Sequence, residues 1–197
     1  MRPARFVFAF AFFLALAACG GAGKKAFEMP PPTPSADPSG VVWQTEPKGL
    51  RISIEAAPDL NAQDGEPLAL SLCVYQLDKT AKFDDLAQSE DGLNLLQDCT
   101  ISAADAVAAQ RFWLQPGQTR VVEIDRAAGA KSLALAAGYA HLAPSLSTAR
   151  FSYLLHSEKE GYIPGFRKTV YSAARMDIVI RLSASEVSVN GVEREPQ

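Results

Sequence analysis

The chain has 197 residues, is 48% hydrophobic and 21% charged, and carries a formal net charge of −3. A leader bearing Arg2 and Arg5 accounts for two of its positive charges, so the remaining 179 residues sit near −5, enough for one domain with its own core plus a tether. A mildly acidic chain of this kind has no electrostatic reason to hold nucleic acid or an anionic membrane surface.

The first eighteen residues read as a secretory signal: Arg2 and Arg5, an apolar run from Phe6 to Leu16, then small residues before the cut. The run is too short for a bilayer, which asks for roughly 20 apolar residues in a helix. Gly20, Gly21, Gly23, Lys24 and Lys25 end it. Leu16-Ala17-Ala18-Cys19 resembles a bacterial lipobox, and the resemblance implies that Cys19 becomes the first mature residue and is acylated. A plain signal peptide with a chance cysteine is the alternative. Several acyl chains would anchor stably where a single one binds marginally, at about 0.8 kcal/mol per buried CH₂. Gly20 in place of an aspartate resembles an outer-membrane destination.

Residues 19–48 read as a lipidated, Pro-rich tether, with Pro30, Pro31, Pro32, Pro34 and Pro38 among Ser, Thr and Asp. In polyproline II at about 3.1 Å per residue, such a stretch could hold a domain as much as ~85 Å from its anchor. Val41, Val42 and Trp43 form an apolar island where the chain first meets the domain.

The domain, residues 49–190, starts with Leu50, Ile52, Ile54 and Ala56 alternating with Arg51, Ser53 and Glu55, a half-buried strand. A loop dense in turn formers follows to Pro67. Leu68–Leu77 places Leu70, Leu72 and Val74 on one face and Cys73, Tyr75 and Leu77 on the other, so both faces need cover. The segment 83–98, with Phe83, Leu86, Leu93 and Leu96, supplies it as two short helical pieces around Gly92, capped by Asp84 and by Ser89 or Asp91. In an oxidising compartment Cys73 and Cys99 favour a disulfide over a metal pair, pinning this insertion to the strand.

Further strand signals are Arg111–Leu114 and Thr119–Asp125, joined as a hairpin through Pro116-Gly117, then Ser132–Leu142, Phe151–His156, Met176–Leu182 and an edge strand around Val187 and Val189. Residues 191–197 form a polar tail. Seven or eight short strands separated by turns predict an antiparallel two-sheet β-sandwich with a short helical insertion.

No catalytic set stands out. His141 and His156 lie apart without metal-ligand spacing, no G-x-S-x-G, P-loop or Rossmann pattern occurs, and the pairs Asp84/Asp85 and Glu90/Asp91 sit at expected helix starts. No cofactor or metal is implied, and the chain reads as a binding module. Two loops are candidates: Asn61, Ala62, Gln63, Asp64, Gly65 and Glu66, stiffened by Pro58 and Pro67, and Leu155–Tyr171, with Tyr162, Phe166, Arg167, Lys168 and Tyr171.

Pro58-Asp-Leu-Asn61, Gly65-Glu-Pro67, Leu70-Ser-Leu-Cys-Val-Tyr-Gln-Leu77, Leu114-Gln-Pro-Gly117 and the strand from Ala134 to His141, behind a lipobox, resemble the type VI secretion system outer-membrane lipoprotein family, TssJ. The match covers roughly residues 50 to 142 and implies a transthyretin-like β-sandwich with an added helical element, lipid-anchored in the outer membrane and facing the periplasm. It implies a partner, the periplasmic C-terminal domain of the inner-membrane protein TssM, and a contact at the first inter-strand loop, here Asn61–Glu66. The chain departs from the family after Leu142, where Pro144–Phe151 replaces a usual Trp-Arg, and Cys73 and Cys99 are outside the family's general pattern. The alternative reading is a periplasmic lipoprotein that binds a small ligand or glycan, with Tyr139, Tyr153 and Trp113 lining a pocket.

Overall fold

The computed structural model describes residues 33–163 and 165–194, with side chains as far as Gly191. The leader, Cys19 and most of the Pro-rich stretch lie outside the described residues. Among those described, a 3-10 turn at Pro38–Gly40 precedes β1 (Glu46–Ala56), β2 (Leu70–Leu77), α1 (Ala81–Leu86), α2 (Glu90–Gln97), α3 (Ile101–Ala104), β3 (Ala108–Leu114) and β4 (Thr119–Arg126). There follow β5 (Ser132–Ala137), α4 (Pro144–Ser147), β6 (Thr148–Ser152), β7 (Leu155–Glu160), β8 (Lys168–Ala173), β9 (Arg175–Leu182) and β10 (Val187–Arg194).

Two four-stranded sheets, ordered β10-β9-β1-β4 and β3-β2-β5-β6, face each other. Leu50, Ile52 and Ile54 of β1 and Ile178 and Ile180 of β9 meet Leu72 and Val74 of β2 and Leu133 and Leu135 of β5 in the core between them. The alternating faces of β2 are both used: Cys73, Tyr75 and Leu77, with Ala134 and Ala136 of β5, lie under Phe83, Leu93 and Leu96 of the helical insertion. Neighbouring strands are antiparallel with one exception, β1 alongside β9. Period-two alternation says which face is buried but nothing of strand direction, so that parallel pair was not readable.

The expected hairpin from Arg111 to Asp125 is corrected. Cys73 pairs with Arg111 while Arg51 pairs with Glu123, so β3 and β4 belong to opposite sheets and the Pro116-Gly117 turn carries the chain from one to the other. The helical insertion comes as expected in short pieces, with Ser89 capping α2 through a 3.1 Å bond from the Gly92 N–H. Asp84 does not cap: α1 starts at Ala81, and Asp84 pairs with Arg150 at 2.9 Å. Gly92 is a steric necessity rather than a helix break, because a Cβ there would collide with the Leu86 carbonyl. Cys73 and Cys99 form the disulfide, with Cα atoms 5.5 Å apart.

Folded chain begins ahead of the Leu50 alternation. Val41 is buried, Trp43 lies 5.5 Å from the Arg126 guanidinium and 6.2 Å from the Tyr153 ring, and Ser35 exchanges backbone hydrogen bonds with Tyr171 at 2.9 and 2.7 Å. Between β6 and β9 stands a two-stranded ribbon, β7–β8, that pairs with neither large sheet. Residues 168–173, read as loop from the sequence, are its second strand. Val170 and Ala173 are buried on β8, but their spacing of three does not write the period-two alternation of a strand.

Candidate partner-binding site

The loop between β1 and β2 lies at one end of the sandwich, beside the Gln115–Gln118 turn, the segment after β5 and the β9–β10 turn. Three cross-bonds gather these pieces: Gly117 N–H to the Ala57 carbonyl at 3.0 Å, Asn61 N–H to the Ser183 carbonyl at 3.4 Å, and the Tyr139 hydroxyl to the Glu186 carbonyl at 2.6 Å.

Asn61 has only 5% of its surface exposed and a left-handed φ of 51°, a conformation asparagine tolerates better than most residues. Its amide donates to the Ala69 carbonyl at 3.1 Å, and its side-chain oxygen accepts from the Ala140 N–H at 2.7 Å. Asn61 therefore ties the loop to the start of β2 and to the segment after β5. Ala62 is half-buried, and Gln63, Asp64, Gly65 and Glu66 are exposed. Gln63 and Glu66 exchange both backbone hydrogen bonds, at 3.0 and 2.9 Å, around Asp64 and Gly65, whose φ values are 53° and 83°. Two successive positive φ angles make the tight two-residue turn that Asp-Gly favours. The outcome is a short stiff finger whose base is bonded inward and whose tip offers two carboxylates and an amide to solvent. Asn61 thus belongs to the base of the finger and Gln63, Asp64 and Glu66 to its presented surface.

Among the described residues, the most exposed large apolar side chains lie in the other candidate loop: Tyr162 is fully exposed, Phe166 81% and Ile163 63%. The three aromatics proposed to line a ligand pocket do not converge. Tyr139 and Tyr153 are buried in the inter-sheet core, whereas Trp113 is 62% exposed next to Arg111. An open groove of about 460 Å³ does adjoin the finger, lined by Glu55, Ala57, Arg181, Ser183, Glu186 and Ser188, with Arg181 bonded to Glu55 at 3.0 Å. The groove was not visible in the sequence, because it arises from β9 lying beside β1. His141 is exposed and His156 lies 3.8 Å from Glu158 on the ribbon.

A protein-family model described as type VI secretion lipoprotein, VasD, EvfM, TssJ, VC_A0113 matches residues 48–184. The chain belongs to the type VI secretion lipoprotein family. Solved structures agree with this lipoprotein in fold. The crystal structure of the type VI lipoprotein TssJ1 from Pseudomonas aeruginosa is 23% identical at a TM-score of 0.52, over 78% of this chain and 98% of that one. Serratia marcescens Lip, a membrane-bound component of the type VI secretion system, is 18% identical at a TM-score of 0.53, over 72% of this chain and 96% of the other. A structure described as the TssM C-terminal domain from EAEC matches at 19% identity and a TM-score of 0.51, over 76% of this chain and 99% of that chain. No curated protein sequence matches.

Proposed function

We propose that this lipoprotein is the outer-membrane anchor of a type VI secretion membrane complex, held by acyl chains on Cys19 and binding the periplasmic C-terminal domain of a TssM-like inner-membrane protein through the β1–β2 finger. It acts by binding, without cofactor or catalysis. The observation that carries the reading is the finger itself, exposed at the tip yet locked at its base through Asn61, so that little conformational freedom remains to be lost on binding. The finger also lies at the end of the sandwich away from Trp43 and Ser35, where the chain coming from Cys19 joins the fold, so an anchored protein can present it outward.

The test is direct binding between the chain from residue 33 onward and the purified TssM-like domain of the same bacterium. The triple variant Gln63→Ala, Asp64→Ala, Glu66→Ala, which spares Asn61, is expected to bind at least tenfold more weakly, about 1.4 kcal/mol, with unfolding unchanged. Equal binding by parent and variant would move the contact off the finger. No binding by either would turn attention to the open groove beside Arg181 as a ligand site.

A further inference from the structure

We infer that the tip of the β7–β8 ribbon is a membrane-interface wedge, with Tyr162, Ile163 and Phe166 dipping into the headgroup and upper acyl region of the bilayer that holds the lipid anchor. The inference rests on the anchoring through Cys19 proposed above.

Chemistry gives the first argument. Single exposed apolar residues are ordinary on a protein surface, but here three large ones fall within five positions at the end of a ribbon that pairs with neither sheet. An aromatic residue with a polar hydroxyl, such as Tyr162, suits the interface between water and hydrocarbon. Arg167 and Lys168 follow directly in sequence, and their apolar stems allow the charged ends to reach lipid phosphates while the tip sits deeper. Glu158 and Glu160 on the partner strand offset part of the positive charge of Arg167, Lys168 and Lys159. The attachment therefore depends on apolar side chains and needs no anionic surface, in keeping with a chain whose net charge is negative.

Position gives the second. β1 runs toward the finger, and β2, β5 and β6 alternate in direction, so β6 ends at the far end of the sandwich from it. There the Ala174 N–H donates to the Leu154 carbonyl at 3.0 Å and closes the base of the ribbon. The same end receives the incoming chain, because Ser35 is hydrogen-bonded to Tyr171 of β8. Cys19 and Ser35 are sixteen positions apart and span at most ~55 Å when fully extended. Tyr171 is five residues from Phe166, about 17 Å along a strand. The acylated residue and the tip can therefore share one surface.

The experiment places the mature acylated protein in phosphatidylcholine vesicles with brominated acyl chains and reads the tryptophan emission added by Phe166→Trp over that of the parent. Gln63→Trp, on the finger, is the comparison. The expected result is quenching of the Phe166→Trp emission at least roughly twofold greater than that of Gln63→Trp, unchanged at ~0.5 M salt, where attraction between charges is screened. Trypsin cleavage after Arg167 and Lys168 should slow when parent protein is on vesicles. In the variant Tyr162→Ser, Ile163→Ser, Phe166→Ser it should return to the rate seen in detergent. Equal or absent quenching at the tip, in protein that still floats with the vesicles, overturns the wedge and leaves the anchor standing. Protection of the ribbon only on adding the proteins of a membrane extract overturns it in favour of a protein partner. Protein that does not float at all removes the anchor, and the wedge with it.

Discussion

The side-chain amide of Asn61 sits where the backbone turns left-handed and bonds two main-chain groups from separate segments, the Ala69 carbonyl and the Ala140 N–H. Alanine in its place removes both bonds, each worth about 0.5–1.5 kcal/mol where water can take the lost partner's place. Asn61→Ala is therefore expected to destabilise the domain by about 1–3 kcal/mol in urea unfolding, with Asn61→Asp intermediate because it keeps only the acceptor for Ala140. Gln63→Ala and Glu66→Ala should stay within about 0.5 kcal/mol, since their turn is held by backbone bonds and their side chains are exposed. Wild-type stability in Asn61→Ala would show that the clamp contributes nothing. The six candidate residues from Asn61 to Glu66 look alike in composition. What divides them into base and tip is the approach of Ala140 from β5, a long-range contact that no local pattern announces.

At the scale of elements, the helical insertion is fastened to β2 three times: by the Cys73–Cys99 disulfide, by the Tyr75 hydroxyl donating to the Leu96 carbonyl at 2.6 Å, and by Ser71 donating to Gln97 at 2.9 Å. Replacing both cysteines by alanine removes a constraint worth about 3 kcal/mol for a loop of this length. The remaining bonds and the burial of Phe83, Leu93 and Leu96 should keep the helices in place. The expected outcome is a lower unfolding midpoint with unchanged binding of the TssM-like domain, and faster hydrogen exchange in α2 than in β1. Unchanged midpoint and exchange would mean that the other fastenings suffice. This part of the fold was legible because each piece is local: two apolar faces on one strand, an amphipathic segment to cover one of them, and two cysteines placed to meet. The Pro116-Gly117 turn misled for a related reason. A tight turn between two strands looks the same whether they pair with each other or leave for opposite sheets, and only the registers Cys73 with Arg111 and Arg51 with Glu123 separate the cases. β7 and β8 lacked a signal because their buried positions, Val170 and Ala173 of β8, do not alternate.

For the whole molecule, three buried phenols tie both packed layers to one solution condition. Tyr75 lies under the helices, and Tyr139 and Tyr153 lie between the sheets. Burial pushes Tyr75 up to about 12 and raises Tyr139 and Tyr153 further above the ordinary tyrosine value, in each case because the charged phenolate would lose its water. A pKa raised by folding means that the folded state keeps a proton the unfolded chain has already released. The stabilisation is therefore fully present below pH ~10, and it declines as pH climbs from there through the folded-state value, at about 1.4 kcal/mol per pH unit for each tyrosine. Three such groups predict a stability lower by about 4 kcal/mol at pH 11 than at pH 9, read from urea unfolding at the two values. Tyr75→Phe should lower stability at pH 9 through the lost bond to Leu96, yet make the fall between pH 9 and pH 11 smaller by roughly a third. A fall of the same size in that variant would place the alkaline sensitivity elsewhere. No change at all in the parent would mean that the phenols are less shielded than their packing indicates. The finger and the ribbon tip are outside both packed layers, so the same titration should reach partner binding only when the domain itself begins to open.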